Sequence, residues 1–146
     1  MPLRRTLAVL LPFICAPAMA QQPATPEPAL AARAAGRFPQ PVRVGDLLHR
    51  QVLRPVEQQN VLGRVAGVMR RPDGAVLVIV SLGGVLGLGT RPVAVPVEAI
   101  ALLGEHVALI DLAPEQLRAL PTFDGANAAP VPPDETTRVG LVRPFH

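Results

Sequence analysis

The chain has 146 residues, 49% of them apolar, with four Phe, no Tyr or Trp, and 14 basic residues that are all Arg. A formal net charge of +3 and so few aromatic rings speak against nucleic-acid binding, which needs clustered cations for phosphates and flat side chains for bases. The single Cys, Cys15, rules out an intramolecular disulfide and a multi-Cys metal site.

The N-terminus sets the compartment. Arg4 and Arg5 form a basic start, Leu7 to Ala16 an apolar run, and Ala18-Met19-Ala20 an A-x-A site ahead of Gln21, the three-part pattern of a secretory signal. Cleavage after Ala20 is expected. Pro12 and Pro17 interrupt a run already short of the ~20 apolar residues that span a bilayer, so no lasting membrane insertion is expected after cleavage. Arg4-Arg5-Thr6-Leu7 weakly resembles a twin-arginine export signal, although paired Arg is common in ordinary signals. Cys15 does not follow the small residues of a lipoprotein signal. The mature chain then carries 12 Arg against 11 Asp+Glu and no Cys, which also removes thiol catalysis.

Proline marks the boundaries of the folded part. Residues 21–41 hold five Pro among many Ala, and residues 124–146 hold four together with Gly, Asn and Asp; neither has a sustained apolar period, and both read as disordered flanks. One domain over residues 42–123 is expected between them. Its period is mostly two. Gln51–Leu53 reads as a short first strand, and Val61, Gly63, Val65, Gly67 and Met69 alternate with Arg64 and Arg70 on the opposite face. Arg71-Pro72-Asp73-Gly74 reads as a turn. Ala75 to Val80 is apolar throughout and rich in β-branched residues, a central strand covered on both faces, with Val93-Ala94-Val95 as its partner. Val97–Leu102 reads as a short helical piece and Val107–Leu112 as a further strand. Pro114–Leu120 reads as a helix, with Pro at its first position, Glu115 in its first turn and Pro121 as a stop. Short strands with regular turns in a domain this small predict an all-β barrel of about five to six strands with one or two short helices.

Several stretches carry a family resemblance: Asp46-Leu47-Leu48, Val61-Leu62-Gly63-Arg64-Val65, Pro72-Asp73-Gly74, the loop Ser81 to Gly89 with Gly83, Gly84, Gly87 and Gly89, and Val93-Ala94-Val95-Pro96. In this order they resemble the PRC-barrel domain, named for the photosynthetic reaction-centre H subunit and shared by a ribosome-assembly factor. The segment Ala113 to Phe123 is similar to the end of secreted bacterial members. The resemblance covers about residues 42–123 and implies a small β-barrel used for assembly or protein contact, with no common catalytic residues. Arg54-Pro55-Val56-Glu57-Gln58-Gln59-Asn60 departs from the Gly turn often found at the first hairpin.

The Gly loop does not cradle phosphate: from Gly84 its order is G-x-x-G-x-G, no Lys-Ser/Thr follows, and a strand instead of a helix comes next. Its apolar tip, Val85, Leu86 and Leu88, is the candidate partner contact, the alternative being that these residues plug the barrel end. His49, His106 and His146 show no ligand spacing, so no metal or cofactor is expected, although His49, His106 and Glu105 are the residues from which a zinc site would be built. Asp46 fits as a helix N-cap, Asp111 as a solvent-facing or Arg-paired acid. Ser81 lacks a nucleophile elbow, and a hydrolase would need His106, Asp111 and Glu98 to converge. The expected function is therefore a non-enzymatic, periplasmic or secreted binding or assembly module for an unidentified envelope protein; a small-ligand or metal sensor is the alternative. N-terminal sequencing of the exported protein should begin at Gln21, and an intact Met1 would refute cleavage.

Overall fold

The computed structural model describes residues 33–34, 36–54, 60–83 and 89–141. Among these, nine strands join into one sheet: β1 (Gln40–Arg43), β2 (Gln51–Leu53), β3 (Val61–Arg70), β4 (Val76–Leu82), β5 (Arg91–Pro96), β6 (Ile100–Leu103), β7 (His106–Leu109), β8 (Ala129–Pro130) and β9 (Thr136–Leu141). Two short helices, α1 (Val44–Leu47) and α2 (Pro114–Ala119), and a 3-10 turn over Val97–Ala99 complete it. The all-β class with one or two short helices is thus as the sequence predicts.

The sheet runs β1-β9-β6-β7-β2-β3-β4-β5, with β8 beside the far end of β3. Its two end strands do not pair, so the sheet is open where a closed barrel was expected. Both free edges carry proline. The Phe123 N–H donates to Pro92 O (2.8 Å), so Pro92, and with it Ala94 and Pro96, turns its backbone groups away from β4. On β1, the Val44 N–H donates to Glu135 O (2.9 Å), continuing the β1–β9 ladder; Pro39 and Pro41 therefore face outward. Neither edge presents the row of N–H donors that another strand would need.

The core is dominated by valine, which suits a pleated, half-buried surface: Val65 and Val68 from β3, Val78 and Val80 from β4, Val93 and Val95 from β5, with Val52, Val107, Ile100 and Val139. In β4 the opposite face is covered too, since Ile79 is also buried. This matches the reading of Ala75–Val80 as a central strand. β5 holds Val93–Val95 as its partner. The Arg71–Gly74 turn forms as read: the Gly74 N–H donates to Arg71 O (2.9 Å), and Asp73 accepts from the Ala75 N–H (2.9 Å) and from Arg71 (2.9 Å).

Four readings need correction. The alternation along β3 breaks at a bulge between Val65 and Gly67; the extra residue shifts the pleat by one, so Val68 is buried in place of Gly67 or Met69. A separate shift against β2 sets Leu53 opposite Val61 and Val52 opposite Gly63, and Val61 is 53% exposed. Val97–Leu102 is a single 3-10 turn followed by β6, because Ile100 and Ala101 are drawn into the ladder with β7. The last strand of that pair stops at Leu109, where Ile110 and Asp111 turn to donate their N–H groups to Ala99 O (2.9 and 3.4 Å). Residues 129–141 are not a disordered flank: β8 pairs with Met69 and Arg70, and β9 lies between β1 and β6 with Val139 buried. The helix α2 stands where Pro114 and Pro121 place it, with the Gln116 side chain accepting from the Ala113 N–H (2.9 Å).

Gly63 fixes the spacing of the central strands. A Cβ there would lie 2.2 Å from Ser81 O and 3.0 Å from the Ser81 carbonyl carbon, backbone atoms that cannot move aside without breaking the β3–β4 ladder. Gly63→Ala is expected to cost about 3 kcal/mol, read as a lowered urea midpoint; an unchanged midpoint would show that the ladder tolerates the displacement.

Candidate functional site

Gly83 and Gly89 form the root of the Gly loop, both with positive φ (69° and 74°), a backbone that glycine adopts without steric cost. The rest of the expected site, Gly84, Val85, Leu86, Gly87 and Leu88, lies outside the described residues, as do Ala18, Ala20, Gln21 and His146, and residues 55–59 of the first hairpin loop.

What the structure does place at this root is a groove. A cleft of about 900 Å³ is lined by His49, Arg64, Ser81 and Thr90 together with Val61 and Leu62. An adjoining cleft of about 570 Å³ shares Val61, Leu62 and Gly83 and adds Leu82, Arg91, Leu117 and Arg118. Val61 is exposed although it pairs with Leu53 of β2, across the register shift that sets Val52 opposite Gly63 and leaves Leu62 as the extra residue of β3. Arg64 stands opposite Gln51 and Ser81 on the outer face. Arg91 donates to Leu120 O (2.5 Å) and Arg118 O (2.7 Å), closing the C-terminal end of α2 with a cation where helix carbonyls lack partners. No Asp or Glu is among the described residues that line either cleft.

His49 has φ 66°, a left-handed backbone unusual for a side-chain-bearing residue. Its N–H donates to Val65 O (2.9 Å), which holds the turn between α1 and β2 against β3. Asp46 is not the N-cap of α1: it lies inside the helix, Arg43 occupies the cap, and no side chain caps it.

The acids assemble elsewhere. Asp111, whose side chain is 8% exposed, pairs with Arg37 and, at 3.5 Å, with Arg33; Arg37 also donates to Glu98 O (3.2 Å). This is the Arg-paired alternative of the sequence reading, and it makes Asp111 the anchor of the segment before β1. His106 opens β7, about 10 Å of strand before its end at Leu109, and Asp111 lies two residues beyond; the carboxylate of Asp111 is committed to two guanidinium groups instead of facing His106 as a catalytic acid. Among the described residues no group of three His, Cys, Asp or Glu could hold a metal ion, and no helix is long and apolar enough to cross a membrane. Asp73 is held below the ordinary carboxylate value of 3.8 by the Ala75 N–H and then by Arg71. Its contribution to the turn is therefore present above that value and fades as pH falls through the lowered one.

The groove was not foreseen from the sequence. Its basic side chains come from the α1–β2 turn, β3, β5 and α2, and no spacing in the chain announces that these meet. Comparison with protein-family models, with curated proteins and with solved structures finds no match. Asp111→Ala is expected to cost about 2 kcal/mol, since it strands Arg37 at 17% exposure, and to increase proteolytic cleavage near Arg37; unchanged stability and cleavage would show that the anchor does not hold.

Proposed function

We propose that the chain is an exported, non-enzymatic binding module of the cell envelope, a PRC-barrel-like domain that contacts a protein partner through the region around its Gly loop. The observation that carries this reading is Val61, a large apolar side chain left 53% exposed at the rim of two adjoining clefts beside the loop root. Apolar surface exposed in a groove costs solubility unless something covers it, and such patches mark contact sites. The candidate tip residues Val85, Leu86 and Leu88 follow Gly83 by two to five positions in sequence, which makes the tip and the rim neighbours along the chain. Export supplies the compartment, and the absence of Cys from the mature chain suits a module that binds without thiol chemistry.

Cross-linking and affinity capture from the envelope with the tagged protein should recover one enriched protein partner. Val61→Asp should weaken that capture at least tenfold while leaving the melting temperature within a few degrees, because surface substitutions seldom change stability much, and Leu86→Asp should weaken it as far. Undiminished capture by both variants would remove this face from the proposal. A melting temperature raised by a divalent metal or an envelope metabolite would instead favour the sensor alternative.

A further inference from the structure

Resting on the binding-module reading, we infer that the groove takes an acidic, extended peptide segment of the partner, with carboxylates set among apolar side chains. The charge distribution carries this. The mature chain is almost balanced, with 12 Arg against 11 Asp+Glu, yet the described residues of the two adjoining clefts include Arg64, Arg91 and Arg118 with His49 and no acid. Three of the acids are spent on arginines away from the groove: Asp111 binds Arg33 and Arg37, Glu135 binds Arg70, and Asp73 binds Arg71. Those arginines are neutralised within the fold. Among the described residues Arg64 makes no ion pair, and its strand neighbours Gln51 and Ser81 are uncharged. Arg91 spends its hydrogen bonds on carbonyls and makes no ion pair among the described residues.

The second feature is the wall. Val61 and Leu62 lie between the Arg64 side of the groove and the Arg91–Arg118 side, so apolar surface separates two cationic positions. An extended chain with side chains alternating at a period of two matches this layout, placing acids toward the guanidinium groups and an apolar residue against Val61. Pairing through the sheet edges is not an alternative route, because prolines interrupt both. Recognition therefore falls to side chains, where charge complementarity sets which partner is accepted.

The test uses the full mature protein and fluorescein-labelled Leu-Glu-Leu-Glu-Leu, with Leu-Gln-Leu-Gln-Leu and Leu-Lys-Leu-Lys-Leu as controls. Fluorescence anisotropy should show the Glu peptide binding at least tenfold tighter than either control, with affinity falling as sodium chloride rises from about 50 to about 500 mM and the Debye length shrinks. Arg64→Glu should weaken the Glu peptide at least tenfold and raise affinity for the Lys peptide; Arg118→Glu, on a different element, should act in the same direction. Equal binding of the Glu and Lys peptides, no binding of any peptide, or indifference of the Glu peptide to both charge reversals would overturn the inference. Loss of envelope capture in Val61→Asp alongside any of those results would leave the binding module standing and remove only its preference for acids.

Discussion

The fold depends on how closely β3 and β4 approach each other at Gly63. With the Ser81 carbonyl occupying the space where a side chain would begin, only glycine lets the two strands lie this close, and further along β3 bends through its bulge at Ala66. That bend lets one strand of ten residues serve three partners: β2 at its start, β4 along its length and β8 at its end. A flat β3 would have left β8 without a neighbour and Val68 on the wrong face. The valine core follows from this curvature, since short branched side chains fill a narrow, curved interior with little loss of rotamer freedom.

Much of this was legible in the chain. The continuous apolar run of β4, the Pro-Asp-Gly turn and the Pro-bracketed α2 each rest on local chemistry that no distant contact overrides. What the sequence concealed was non-local. The bulge at Ala66 leaves no composition signal, so a period of two carried past it assigns Met69 and Val68 to the wrong faces. β9 offers only Thr137 and Val139 as buried positions, too short an alternation to stand out beside four prolines, and it becomes a strand because β1 and β6 each supply a ladder for it. The same holds for the groove: strand register and the docking of α2 bring Arg64, Arg91 and Arg118 to one place, while their positions in sequence say nothing of it.

The division of labour among arginines is informative. In a chain without lysine, guanidinium groups supply both the internal staples and the exposed charge. Arg37 reaches Asp111 and the Glu98 carbonyl, and its stem lies against Gly140, where an added Cβ would come within 3.1 Å of it; its fork and its aliphatic stem are both used. Arg64 has none of these attachments among the described residues. Asp111, Glu135 and Asp73 hold the structural arginines, and no acid among the described residues of the groove holds the others.

The pairing of β1 with β9 has a mechanical consequence. Gln40 faces Val139, so the start of the first strand and the end of the last lie side by side at one end of an antiparallel pair. Tension applied through the two ends would open this pair one rung at a time, as a zipper opens, whereas a pair loaded along its length would have to rupture all its rungs together. Before the first rung yields, the Arg37 attachments to Asp111 and Glu98 must give way. A load applied to one end alone does not pull the two strands apart, and the pair stays closed.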